Sequence, residues 1–131
     1  MESVLRTIVL CVALGISDAG AEAICEVVRD AKIVAQDDEN TYLGKVASRY
    51  GSDSIFNKYG DFGSRYSSKS IWNKYGDFGN QYGQYSPFNK HASQPPMLIK
   101  EGRIIGYLSA NKSIESSISP NLLKALCEEE L

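Results

Sequence analysis

The chain has 131 residues, of which 43% are hydrophobic and 10% aromatic, and its 14 basic and 16 acidic side chains leave a net charge of -2. That length suits one small domain with a modest core, and the near-balance of charge argues against a nucleic-acid partner or an anionic membrane surface. A single histidine and three cysteines do not supply a zinc ligand set once two of the cysteines are paired.

Residues 1-23 read as a secretory signal peptide. Arg6 closes a short n-region, Thr7 to Ile16 is an apolar run of h-region length, and Ala21-Glu22-Ala23 has the A-x-A form of a cleavage site. The run is shorter than the ~20 residues of a membrane-spanning helix, so cleavage after Ala23 is expected rather than membrane insertion. The mature segment, residues 24-131, would carry equal numbers of acids and bases and be secreted or periplasmic. Cys11 leaves with the signal, and Cys25 and Cys127 then allow one intramolecular pairing, which an oxidising compartment favours as a disulfide. The segment from Ile24 to Asp30 suits a short helix, although Val27 and Val28 are equally at home in a strand.

Lys32 to Ser48 reads as apolar strand, polar turn at Asp37 to Asn40, and apolar strand, which predicts a β-hairpin. Residues 49-94 form an aromatic block. Within it Ser54 to Lys69 recurs as Ser70 to Tyr85 with ten of sixteen positions identical, and eleven of the thirteen aromatic residues lie between Tyr50 and Phe88. Its glycine density argues against an uninterrupted helix or strand, and Asn57, Asn73 and Asn89 hold equivalent places suited to Asx-turns. Two copies are too few for a free-standing solenoid, so the block must dock, most simply on the sheet of the flanking hairpins.

Pro95-Pro96 ends the block. Met97 to Asn111 predicts a second hairpin with a tight turn at Glu101-Gly102, and Gly44 and Gly106, at matching places in the two hairpins, mark bulges or close backbone approach. Each hairpin is followed by Ser-Ile, at Ser54-Ile55 and Ser117-Ile118, as if hairpin plus Ser-Ile were one duplicated unit. Residues 119-130 predict a helix with Ser119 as N-cap, Pro120 at N1 and Leu122, Leu123 and Leu126 as its apolar stripe. The expected fold is mainly β with a C-terminal helix: two β-hairpins flanking a Gly/Tyr-rich tandem-repeat block of short strands and turns.

The words Ser-Ile-x-Asn-x-Tyr-Gly-x-Phe-Gly-Ser-x-Tyr-Ser at Ser54 to Ser67, Ser-Ile-Trp-Asn-Lys-Tyr-Gly at Ser70 to Gly76 and Ser-Pro-Phe-Asn-Lys at Ser86 to Lys90 resemble tandem repeats of exported bacterial proteins of uncharacterised function. Lys58, Lys74 and Lys90 stand where those repeats often carry proline. The resemblance implies bacterial export and repeat architecture, and it implies no chemistry.

Candidate chemistry in the chain is sparse. His91 sits in a loop without a nucleophile motif nearby, and Asp61-Phe62-Gly63 and Asp77-Phe78-Gly79 match a kinase triplet in a chain far too short for that fold. Asp61 and Asp77, with Asn57 and Asn73 upstream, could offer oxygen to calcium, but one acid per repeat is thin for such a site. No catalytic residue, metal ligand or cofactor is therefore assigned. Phe56, Trp72 and Phe88 occupy equivalent places and are expected as an internal row with Ile55 and Ile71. Tyr50, Tyr59, Tyr66, Tyr75, Tyr82 and Tyr85 are the candidate binding surface, for a cell-envelope protein or a glycan. The competing expectations are tyrosines buried and hydrogen-bonded in a purely structural envelope protein, and a secreted inhibitor of another enzyme.

Overall fold

The computed structural model describes residues 18-131. The apolar run Thr7 to Ile16 lies outside them, and the Ala21-Glu22-Ala23 triplet falls inside the first helix, α1 (Asp18–Val28). In the outer part of that helix Glu22 and Ala23 are exposed, whereas Cys25 and Val28 are buried in the core. Among the described residues no helix is long and apolar enough to cross a membrane.

The expected architecture is present. β1 (Lys32–Val34), β2 (Tyr42–Lys45), β3 (Met97–Lys100), β4 (Arg103–Leu108) and β5 (Ser117–Ile118) form one mixed sheet in the order β2-β1-β3-β4-β5. The first hairpin turns where Asp37 accepts hydrogen bonds from both the N–H and the hydroxyl of Thr41. These bonds outweigh the effect of partial burial and hold the Asp37 carboxyl below its usual value. The second hairpin turns at Glu101 and Gly102, both at positive φ, 53° and 76°, the two-residue geometry whose twist suits antiparallel strands.

The duplicated unit is visible in three dimensions. β1 and β3 pair antiparallel through Ile33 and Leu98 at the centre of the sheet, with one hairpin on either side. On the first side Ser54 bridges Lys45 in parallel, with Lys45 N–H donating to Asp53 and Ile55 N–H donating back to Lys45. On the other side β5 runs parallel to β4, with Tyr107 N–H donating to Ser116 and Ser109 N–H donating to Ile118. Gly44 and Gly106 are equivalent in this pairing. A Cβ at Gly106 would run into the Ser116 carbonyl oxygen, and one at Gly44 would meet the Asp53 carbonyl oxygen at 2.9 Å, so both glycines serve a close backbone approach.

After Ile118 the chain enters α2 (Pro120–Cys127), with Ser119 Oγ accepting from Leu122 N–H as the N-cap. The helix turns Leu123 and Cys127 inward, and Cys127 is bonded to Cys25 at an S–S distance of 2.06 Å. The core gathers Ile33, Leu43, Leu98 and Leu108 from the sheet, Ile55, Phe56 and Ile71 from the aromatic block, and Leu123 from α2. The block thus docks on the sheet, and each buried aliphatic side chain there contributes about 1.5–3 kcal/mol relative to exposure.

Candidate functional site: a tyrosine face on a ribbon of turns

The aromatic block is built on a three-residue step. Backbone N–H groups donate to the carbonyl three residues back at Gly51, Ser54, Asn57, Gly60 and Gly63, and again at Ser70, Asn73, Gly76 and Gly79. The segment is therefore a ribbon of β-turns that share their corners. All eleven aromatic residues from Tyr50 to Phe88 stand two places after a corner Ser, Asn or Gly. Where the corner is Ser or Asn, its side-chain oxygen accepts the N–H of that aromatic residue: Ser48 from Tyr50, Ser54 from Phe56, Asn57 from Tyr59, Ser64 from Tyr66, Ser70 from Trp72, Asn73 from Tyr75 and Asn80 from Tyr82, at 2.8 to 3.2 Å. The expected Asx-turns at Asn57 and Asn73 are among these, and Asn89 makes the third by accepting the N–H of His91. Asn57, Asn73 and Asn89 also donate Nδ2 to the carbonyls of Gly51, Ser67 and Gly83, so each clamps two turns together.

Sixteen residues make five such steps with one residue left over, and the surplus is absorbed at Gly63 and Gly79. There a single carbonyl, that of Gly60 or Gly76, accepts two successive N–H groups. A Cβ on Gly63 or Gly79 would collide with the carbonyl oxygen of Asn57 or Asn73, so these corners take only glycine.

The period sorts the aromatic rings into an inner and an outer set. Phe56 is buried, Trp72 donates its indole N–H to the Ile55 carbonyl at 2.6 Å and meets Phe88 edge-on at 5.7 Å, and Ile55 and Ile71 lie in the core. The expected inner row is realised in part: Phe56 is buried beside the core aliphatics, whereas Trp72 and Phe88 pair while only half-buried. Phe62 packs edge-on against Tyr42 of β2 at 5.1 Å. Tyr42 in turn donates its hydroxyl to Asp53 at 2.6 Å, and burial together with that bond raises its pKa well above the usual phenol value.

The outer set is Tyr50, Tyr59, Tyr66, Tyr75 and Tyr82, whose exposures lie between 82% and 90%. Tyr85 is half-buried and borders a separate depression with Asp37 and Asp77. Lys58 Nζ lies 5.4 Å from the Tyr59 ring centre and Lys74 Nζ 5.3 Å from that of Tyr75, so these faces pair an aromatic ring with a cation.

Two grooves run between the outer rings. The first, about 760 Å³, is lined by Tyr50, Tyr59 and Tyr66 with Phe56 and Trp72 behind them, and by Arg49, Lys58, Arg65, Lys124 and Glu128. Lys124 reaches it from α2, 5.0 Å from the Trp72 ring, and is 3.7 Å from Glu128, while Arg49 pairs with Glu129 at 3.0 Å. The second groove, about 540 Å³, is lined by Trp72, Lys74, Tyr75, Gln81, Tyr82 and Phe88. Part of its wall is that of the first groove displaced by one repeat, with Gln81 where the first has Arg65, but Arg49, Tyr50, Lys124 and Glu128 of the first groove have no counterpart in it. Lys58, Arg65 and Lys74 make no ion pair among the described residues.

The structure thus brings Tyr50, Tyr59 and Tyr66 to one groove and Tyr75 and Tyr82 to the other. Sequence reasoning missed Trp72, Lys124 and Glu128 as groove walls. Only the second of these positions had a local signal, as a basic residue in the last turn of a predicted helix. The three-residue step was also missed, although the Ser, Asn or Gly two places before each ring from Tyr50 to Phe88 carried it. Asp61 and Asp77 are exposed, and among the described residues no three of His, Cys, Asp and Glu come together as a metal-holding group. No protein family, curated protein or solved structure matches this chain.

Proposed function

We propose that the protein is an exported, non-catalytic binding module that presents its tyrosine face to a glycan or protein of the cell envelope. One observation carries the reading: the five outer tyrosines are almost fully exposed while their backbone is pinned by corner hydrogen bonds. A purely structural role would have these rings buried with their hydroxyls hydrogen-bonded. Rings displayed on a fixed backbone lose only two side-chain rotations on binding, which is how tyrosine-rich recognition surfaces limit the entropy of association. Export is supported by the Cys25–Cys127 disulfide and the amino-terminal sequence, with release into the periplasm or the medium.

The test is binding of the purified protein to envelope preparations before and after replacement of Tyr59, Tyr66 and Tyr75 together by Ala. Loss of binding with an unchanged unfolding midpoint is expected. Unchanged binding would refute the assignment.

A further inference from the structure

We infer that the ligand is a linear, carboxylate-bearing polysaccharide, held along the ribbon with acidic units of one chain in the two repeat-related grooves. The inference rests on the reading of the tyrosine face as a binding surface and adds the chemistry of what binds there. Three observations converge on it.

The grooves share a set of walls that recurs with the repeat. Phe56, Lys58, Tyr59 and Tyr66 of the first correspond to Trp72, Lys74, Tyr75 and Tyr82 of the second, and both are open to solvent. A site repeated at the period of the sequence matches a ligand that is itself periodic, because one chain can then fill both sites and the second contact becomes intramolecular.

The walls also have the composition that sugar rings need. Tyr59, Tyr66, Tyr75 and Tyr82 offer flat apolar faces with a hydroxyl at the tip, suited to stacking on pyranose C–H faces while bonding their hydroxyls.

The charge is positive but thin. Lys58 and Arg65 in the first groove and Lys74 in the second lack an acid partner among the described residues, whereas Arg49 and Lys124 are already occupied by Glu129 and Glu128. One or two available cations per repeat suit a polymer with one carboxylate per sugar unit. A nucleic acid carries a phosphate at every nucleotide and is held by many more cations, and here each repeat also exposes an acid, Asp61 or Asp77.

The probe is a length series of oligogalacturonates, titrated calorimetrically against the disulfide-intact protein, with neutral β-glucan oligomers and oligo-dT as comparisons. Affinity is expected to rise by about 10²-fold once the oligomer spans both grooves, and to weaken with salt. Lys58→Ala with Lys74→Ala should lower it about tenfold or more, since charge-assisted bonds are lost at both sites. Arg65→Gln, which gives the first groove the residue the second already has, should lower it by a smaller factor without affecting folding. Equal affinity for neutral glucan, tighter binding of oligo-dT, or no dependence on length would each overturn the inference. If oligogalacturonates do not bind at all, the ligand class is wrong. In that case the tyrosine triple variant on envelope preparations decides separately whether the binding face itself survives.

Discussion

The two halves of the sheet begin alike and end differently. Each is a hairpin followed by a Ser-Ile segment in parallel pairing with its second strand, at Ser54-Ile55 and at Ser117-Ile118. In the first half Ser54 Oγ accepts the N–H two residues on, at Phe56, and the chain proceeds as a ribbon of turns. In the second, the chain passes to Ser119, whose Oγ accepts the N–H three residues on, at Leu122, and a helix follows. The same hydroxyl device serves both, and its reach of two or three residues accompanies a tight turn or a helical one. The downstream residues decide between them. Asn, Ser or Gly at every third place rewards stopping after each turn, whereas Pro120 at N1 and a leucine stripe reward propagation. The first half also covers its outer strand position, where Tyr42 lies under Phe62, while the equivalent Ile104 of the second half is 54% exposed.

That contrast can be broken most severely at the disulfide, which ties α1 to the end of α2. Its sequence separation is 102 residues, and in the chain-entropy model a loop of that size is worth about 4.7 kcal/mol. Urea unfolding of the Cys25→Ala, Cys127→Ala variant should show a loss of about 4 kcal/mol, with amide exchange accelerating in α1 and α2 before the ribbon.

A smaller and more local effect separates the ribbon from the helix. Gly79→Ala forces a methyl against the Asn73 carbonyl and should destabilise by about 1–3 kcal/mol, centred on the ribbon. Ser119→Ala removes only a cap and should take about 1 kcal/mol, centred on α2. Amide exchange on the two variants should give complementary patterns; identical patterns would mean that the two halves unfold as one unit.

The smallest effect is at Tyr42. Its phenol pKa is raised in the folded protein by burial and by the bond to Asp53, so the neutral form is favoured there. The associated stability is fully present below the unfolded value, near 10, and is lost as pH rises toward the raised folded one. Tyr42→Phe should lower stability by about 1 kcal/mol at neutral pH and flatten the alkaline decline measured by urea unfolding above pH ~10.

Local chemistry made much of the molecule legible. The Glu101-Gly102 turn, the Asp37 loop, the Ser119-Pro120 helix start and the Asx-turns at Asn57, Asn73 and Asn89 each depend on residues within a few places of one another. The Cys25–Cys127 pairing followed from arithmetic once Cys11 was set aside. α1 was less legible, because Val27 and Val28 suit either a helix or a strand, and packing of Cys25 and Val28 against the core favours the helix.

The sequence by itself determined the duplicated hairpins, the repeat, its glycine-dependent corners and the capped helix, because turn and cap energetics act between near neighbours. Tertiary structure alone decided how deeply the expected inner rings are buried. Docking of Ser54-Ile55 and Ser70-Ile71 against the sheet buries Phe56 and leaves Trp72, its repeat equivalent, only half-buried. Tertiary structure likewise decided that Lys124, more than fifty residues further along the chain than Trp72, would close one of the two grooves. Such proximity depends on how separate elements pack, and no local pattern encodes it.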